Sequence, residues 1–260
     1  MRQTIRALGW IIAVLWIITL LFPVTVAFSL MKLLEAKNMG IQEPTISFSN
    51  GNFSLFMPFC INNTGFYDLS DIGINIQMGR KNKTISASST QLSNVPAGTM
   101  VNSSFNVSFS LKELVLKDSE LLTELLTNDT ELDVNASLRL RVAYTIAFEA
   151  SMKFTTHWSA PLHNLTIYNI SYNSTTNTFS FSVSFDNHAS YTVNGPLTVN
   201  LYNSANAHIN STIQFINVSP EETFQKSFTL TIDPTTMTHN GVIRLYFAGV
   251  QISEKEWTFP

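Results

Sequence analysis

The sequence predicts an all-β fold: two tandem antiparallel β-sandwiches behind a single transmembrane α-helix. Three observations predict it. An uncharged apolar run opens the chain, apolar and polar residues alternate from Thr45 onward, and one block of sequence is written twice.

The apolar run comes first. No charged side chain occurs from Ala7 to Met31, and most positions are Leu, Ile, Val, Ala, Trp or Phe. A helix of about 24 residues rises roughly 36 Å, enough to cross a hydrocarbon core of about 30 Å. Trp10 suits a membrane interface, and Pro23 is tolerated in a membrane helix. A cleaved signal peptide is the competing reading, with Arg2 and Arg6 as its basic start and Thr25-Val-Ala27 as its cleavage site. The run is longer than the roughly 7–15 apolar residues of a signal. The helix is also expected to continue through Lys32 to Lys37 and stop at Asn38 or Gly40. An uncleaved anchor is therefore preferred, with residues 1–40 forming the helix and its juxtamembrane extension.

Orientation follows from charge and from the asparagines. Arg2, Arg6 and the terminal amine favour a cytoplasmic N-terminus. Twelve of the 24 asparagines begin an Asn-x-Ser/Thr triplet: Asn52, Asn62, Asn82, Asn102, Asn106, Asn128, Asn135, Asn164, Asn169, Asn173, Asn210 and Asn217. Such triplets are acceptors for N-glycans in extracytoplasmic domains. Asn52, Asn102, Asn106 and Asn135 fall on the strand phase opposite Phe53, Phe105, Val107 and Val134, so they are expected to face solvent.

The strand signal then dominates. Phe53, Leu55, Met57, Phe59 and Ile61 alternate with polar residues, as do Ile72, Ile74 and Ile76, then Leu138, Leu140 and Val142. In the second half Phe179, Phe181, Val183 and Phe185 alternate, as do Leu197, Val199 and Leu201, then Ile243, Leu245 and Phe247. A period of two with β-branched and aromatic enrichment marks half-buried strands. Turn signals such as Asn62-Asn-Thr-Gly65, Pro96-Ala-Gly98 and Asn194-Gly-Pro196 separate them. Short strands at this spacing, in about 110 residues, describe a fibronectin- or immunoglobulin-like sandwich.

Two blocks repeat in the same order, which requires two copies of one domain. Leu55 to Leu69 aligns without a gap on Phe179 to Val193, matching Asn63 with Asn187 and Tyr67 with Tyr191. Asn94-Val95 to Phe109 aligns on Asn217-Val218 to Ile232, matching Phe105 with Phe228. The first sandwich is placed at 41–157 and the second at 158–260, joined near His157-Trp158-Ser-Ala-Pro161. One segment departs from the pattern. From Lys112 to Thr130, leucines at spacings of three and four predict a short amphipathic helix with Asp118 or Ser119 as its N-cap. It is read as a lid on an open end of the first sandwich, with a membrane-proximal docking helix or groove cover as the sharper alternative.

Composition excludes several functions. Charged residues make up 13%, the net charge is −3, and no basic cluster occurs, so nucleic acid is not an expected partner. The single cysteine, Cys60, cannot form an internal disulfide. It reads as a half-buried small residue, with a disulfide-linked dimer as the alternative. The five histidines lack metal-ligand spacing, Glu221-Glu222 reads as a solvated turn, and no phosphate loop or nucleophile elbow occurs. No catalytic, cofactor-binding or metal residue is therefore assigned, and an enzyme is not expected.

The repeated motifs, Phe59-Cys-Ile-Asn62-Asn63-Thr-Gly-Phe-Tyr67 with Val95-Pro-Ala-Gly98, and Phe185-Asp-Asn187 to Tyr191 with Val218-Ser-Pro220, resemble the late-embryogenesis-abundant type 2 domain. This is also called the water-stress and hypersensitive-response domain. The resemblance covers roughly residues 42–260. It implies a non-catalytic fibronectin-like sandwich, often behind one membrane helix, with roles in stress protection, envelope association or lipid handling. The Asp186-Asn187-His188 turn and the helical insert depart from the family pattern. The expected function is a membrane-anchored, extracytoplasmic, non-enzymatic module acting in cell-surface structure, envelope protection or protein interaction. The alternative is a lipid- or hydrophobe-binding protein at the outer membrane face. The expected location is the plasma membrane, single-pass, with a cytoplasmic N-terminus. The one-anchor layout is that expected of a prokaryotic, in particular archaeal, membrane protein.

Overall fold

A computed structural model describes residues 2–35 and 38–259. The chain opens with helix α1 (Arg2–Leu33), whose Leu8–Leu33 stretch is long and apolar enough to cross a membrane. The helix ends at Leu33. Of the continuation expected to Lys37, Ala36 and Lys37 lie outside the described residues, as do the side chains of Arg2 and Arg6.

The first sandwich is built from β1 (Met39–Ile41), β2 (Thr45–Ser49), β3 (Asn52–Asn62), β4 (Leu69–Arg80), β5 (Lys83–Val95) and β6 (Met100–Ser110). The short helices α2 (Leu111–Lys117) and α3 (Ser119–Thr127) follow, then β7 (Thr130–Val142) and β8 (Ile146–Trp158). The second is built from β9 (His163–Asn173), β10 (Thr178–Asp186), β11 (Val193–Asn203), β12 (His208–Val218), β13 (Thr223–Thr231), β14 (Asn240–Phe247) and β15 (Val250–Thr258).

The two copies share one topology. A three-strand layer β6-β3-β2 faces a four-strand layer β5-β4-β7-β8, and β13-β10-β9 likewise faces β12-β11-β14-β15. The registers agree as well. Met57 lies opposite Phe105 and Phe181 opposite Phe228, as the internal alignment requires. The layers do not stop at the join. β2 pairs in parallel with β11, Phe48 to Val193 and Ser49 to Asn194, so one sheet passes from the first sandwich into the second.

At one corner of the first sandwich the layers are held by side chains. Ser86, Ser88 and Thr90, alternate residues of β5, donate hydroxyl hydrogens to the carbonyls of Ser108, Asn106 and Ser104 at 2.8, 2.8 and 3.2 Å. The hydroxyl-rich sequence of β5 thus pairs the edge carbonyls of β6.

Each copy is locked by one buried asparagine. Asn187 donates its amide to the carbonyls of Tyr191, Val218 and Ser219 at 2.9, 3.1 and 3.0 Å, and its Oδ1 accepts from Ala189 N at 3.0 Å. Asn63 donates to Tyr67 and Val95 at 2.9 Å each, and its Oδ1 accepts from Gly65 N at 3.1 Å. A buried amide is tolerated only when its hydrogen bonds are made, and here they tie two distant turns together.

The tyrosine after each asparagine reaches the element preceding its own sandwich. Tyr67 meets α1, with its hydroxyl 2.8 Å from Thr25 Oγ1. Tyr191 packs against Phe48, Phe53 and Trp158 of the first sandwich, at ring distances of 5.8, 5.8 and 6.4 Å. Burial pushes the Tyr191 phenol well above its usual pKa, and its hydroxyl has no partner among the described residues.

The expected insert helix is two helices. Asp118 caps α3, accepting from Leu121 N at 3.0 Å, and Ser110 caps the additional α2. Leu111, Leu114, Leu121, Leu122, Leu125 and Leu126 are buried, and Leu126 O accepts from Leu162 N of the second sandwich at 2.8 Å. The pair plugs the Asn52–Ser110 end of the first sandwich, opposite the Asn62 end on which α1 packs. The membrane-proximal alternative is thereby corrected, because the strand direction carries Leu111 away from α1. Arg80 donates to Glu124 at 2.6 Å, and that hydrogen bond holds the Glu124 carboxyl down at about 2.

Cys60 is half-buried and free. Its Sγ lies where a Cβ on Gly40 would meet it at 2.9 Å, so glycine in β1 makes room for the thiol.

Candidate functional site

The copies differ most in how their interiors are covered. In the first, Leu55 and Met57 of β3, Ile74 and Ile76 of β4, and Leu138 of β7 face inward but are only half-buried. The registers match Leu55 and Met57 with Phe179 and Phe181 and, allowing for the bulge between Ser70 and Gly73, the Ile74–Leu138 pair with Leu197–Phe247. Those four counterparts are fully buried.

The cause lies in strand count and facing-strand length. Each four-strand layer is one strand wider than the layer facing it, so its last strand overhangs. In the second copy the facing edge strand, β9, has 11 residues, and aromatic rings fill the overhang. Trp257 of β15 is 3% exposed and packs on Phe179 at 5.3 Å and Phe259 at 5.1 Å. Its partner Gly241 has no side chain to obstruct it, since a Cβ there would meet the indole at 2.5 Å.

In the first copy the facing edge carries only the five residues of β2 and the three of β1. On the outer strand β8, Met152, paired with Ala136 on the interior phase, is 60% exposed. Ala150 and Phe154 lie on the same phase of β8 and are exposed too. Burying a Met or Phe side chain contributes about 1.5–3 kcal/mol. An interior row that forgoes this is available to bind an apolar partner.

This open row runs into the packing of α1. Phe22, Val26, Leu30 and Leu33, one stripe of the helix, join a cluster with Phe59, Ile61, Ile72, Leu140 and Val142. Met57, Ile74 and Leu138 of the open row and Phe148 of β8 pack against the same cluster. The apolar packing around the helix thus reaches Leu138 and Phe148, and Phe148 shares the interior phase of β8 with Met152.

Polar contacts fix the helix in place. Besides the Thr25–Tyr67 contact, Phe66 N donates to Ser29 Oγ at 2.8 Å, and Asn38 Nδ2 donates to Lys32 O at 2.7 Å and Thr64 Oγ1 at 2.9 Å. Phe28 stacks on Phe66, and the Lys32 ammonium lies 5.3 Å from both rings. Phe28, Met31, Leu34 and Phe66 stay exposed around this contact.

Asn52, Asn82, Asn102, Asn106, Asn128, Asn164, Asn169, Asn173 and Asn217 are exposed. Asn62, Asn135 and Asn210 are half-buried. Asn62 and Asn210 already use the amide nitrogen a glycan would take, donating to Asn38 Oδ1 at 3.2 Å and Thr231 O at 2.7 Å. Asn135, expected to face solvent freely, sits in the middle of its sheet between Gln77 and Lys153. The residues that sequence reasoning did not single out are Met152 and Phe154. Their alternation with polar neighbours is the same as that of covered strands, so exposure is decided by the strand that faces them.

No protein-family model and no curated protein matches the chain. Several solved structures are distantly similar to the chain. A red sea bream transglutaminase is 11% identical, with a TM-score of 0.29, over 85% of this chain and 30% of its own. A Mobiluncus mulieris adhesin is 7% identical, with a TM-score of 0.29, over 82% of each chain. The periplasmic chaperone SfaE is 10% identical, with a TM-score of 0.28, over 83% of this chain and 96% of its own. This chain spans less than a third of the transglutaminase, and likenesses of this degree carry no argument about activity. The fold rests on the strand pairing described above: all-β, two tandem sandwiches, one N-terminal apolar helix.

Proposed function

We propose that the protein is a single-pass, non-enzymatic module that holds a hydrophobe, of the lipid acyl-chain class, along the open flank of its first sandwich at the outer face of the plasma membrane. One observation carries this reading: Met152 is 60% exposed on the interior phase of β8, beside inward-facing Ala136. The packing of Phe148, on that same phase, against the α1 cluster supports a membrane source for the ligand. Retention of α1 is supported by its buried Val26, Ser29 and Leu33, since cleavage after Ala27 would remove Val26 and the partner of Tyr67. The exposed sequons support extracytoplasmic, glycan-bearing sandwiches, and the two matched asparagine turns support membership of the late-embryogenesis-abundant type 2 family.

The Leu121–Leu126 helix is not the cover of this flank in the present reading. Leu122 and Leu125 are core residues at the far end, so Asp at both positions would unfold the sandwich rather than release a ligand. The test is crosslinking with a photoactivatable phospholipid in reconstituted membranes. Label is expected on residues 150–154, and it disappears in Met152→Lys.

A second reading, protein interaction at the cell surface, is favoured by β8 itself. It is the free edge of its sheet and 13 residues long, and an added strand would cover Met152 and Phe154. Crosslinking of a polypeptide instead of lipid to residues 150–154 would select this reading.

A further inference from the structure

The five histidines show no metal-ligand spacing along the chain, yet the fold brings two of them to one carboxylate. Asp129 follows α3, His163 opens β9, and His188 lies in the turn after the buried Asn187. One ligand atom from each lies within 4.8 Å of the others. We infer that Asp129, His163 and His188 form a divalent transition-metal site, with zinc the fitting ion, that staples the first sandwich to the second.

The donor set selects the ion class. Two imidazoles and one carboxylate suit zinc and its transition-metal neighbours, whereas calcium and magnesium take oxygen ligands. Three protein ligands leave a fourth tetrahedral position for water. Among the described residues no Lys or Arg forms an ion pair with Asp129, whose Oδ2 lies 2.7 Å from His188 Nδ1.

The surroundings are already fixed. Asp129 Oδ1 accepts from Ala160 N at 2.8 Å, His188 N donates to Ala160 O at 3.1 Å, and Leu162 N donates to Leu126 O at 2.8 Å. Ala160 and Leu162 are fully buried. Residues 160–162 therefore hold all three ligands on one short buried segment. His163 supplies the second observation. Its Nδ1 is sheltered from solvent and has no hydrogen-bond partner among the described residues. An orphaned ring nitrogen beside a carboxylate and a second imidazole is what a metal would satisfy.

Some closing is needed. Zinc bonds of about 2.0–2.1 Å put tetrahedral ligand atoms roughly 3.3 Å apart. The two rings now stack at 3.9 Å with 22° between their planes. They must turn out of that stack so that their lone pairs converge, while the hydrogen shared by His188 Nδ1 and Asp129 moves to Nε2. The ion would reinforce a join whose backbone pairing is only two residues long, Phe48–Val193 and Ser49–Asn194.

The test is calorimetric titration of zinc chloride into tag-free, full-length protein in nanodiscs at pH 7.5. One equivalent is expected to bind, with affinity falling as pH drops and the imidazoles protonate. His163→Gln and His188→Gln should each weaken zinc at least tenfold, His239→Gln should leave it unchanged, and magnesium should not compete. Circular dichroism checks that the variants fold. If His188→Gln does not fold, His163→Gln carries the test, because among the described residues its Nδ1 makes no hydrogen bond to lose. Absence of stoichiometric binding in the wild type, or equal affinity in His163→Gln, overturns the site.

Discussion

Asn63 and Asn187 occupy the same position in the two sandwiches and make the same bonds. Each donates its side-chain amide to the tyrosine carbonyl four residues on and to the carbonyl of the valine that ends β5 or β12, Val95 or Val218. Their backbones match as well. Asn63 N donates to Thr99 O and its carbonyl accepts from Gly98 N, while Asn187 N donates to Glu222 O and its carbonyl accepts from Glu221 N. The sequence repeat is thus a repeat of one hydrogen-bonded turn pair.

Removing either amide strands buried carbonyls. Asn187→Ala and Asn63→Ala are each expected to cost about 2–4 kcal/mol, since each unsatisfied buried group costs about 1–3 kcal/mol. Urea unfolding of each variant measures this. A loss under half a kcal/mol at both would show that the turns hold without them.

The two turns differ at one residue. Gly98 and Glu221 occupy the matching position with φ of +74° and +61°. A left-handed backbone costs a non-glycine residue about 1–2 kcal/mol, partly offset by glycine's greater freedom when unfolded. Glu221→Gly should therefore stabilise the second sandwich by about 0.5 kcal/mol. Gly98→Ala should destabilise the first by about 1 kcal/mol, although its Cβ meets nothing. Thermal melts of the pair check the opposite signs.

Phe105 and Phe228 are equivalent core residues, each buried and each opposite the matching strand position. Phe→Ala at either is expected to cost about 3–5 kcal/mol. Denaturant midpoints would contradict the repeat if both changes were near zero.

The repeat was legible because buried strands impose a period of two and the turns need Asn, Gly and Tyr at fixed places. The cap at Asp118 was legible for the same reason, since only a short acceptor side chain satisfies the Leu121 amide. Helix α2 was missed because Leu111 to Lys117 continues the leucine spacing, and only the Asp118 break splits it in two. The open flank was not legible at all. Met152 and Trp257 differ in what faces their strands, and that depends on β2 being shorter than β9. The meeting of His163 and His188 depends on a turn pairing with the inter-sandwich segment, which no local spacing records.

Glu124 links pH to the insert. The Arg80 guanidinium, then Lys81, depress its carboxyl from the usual 4.5 to about 2. A depressed carboxyl stabilises the fold above its unfolded pKa, and that contribution is lost as pH falls through the folded value. Stability should therefore drop between about pH 4.5 and 2 by on the order of 1–2 kcal/mol, allowing for partial solvent screening. Glu124→Gln should flatten that part of the profile, and acid titration of the melting temperature would reveal a slope that survives.

A hydrophobe held on the flank of β8 should leave the membrane with the protein. Native mass spectrometry of the full-length protein, extracted gently from its own membrane, tests it most directly when wild type is compared with Met152→Lys. Lysine at an already exposed position should alter stability by less than about 0.5 kcal/mol. A lipid-sized adduct is expected on the wild type and not on the variant. A bare wild-type mass, or the same adduct on both proteins, would contradict it.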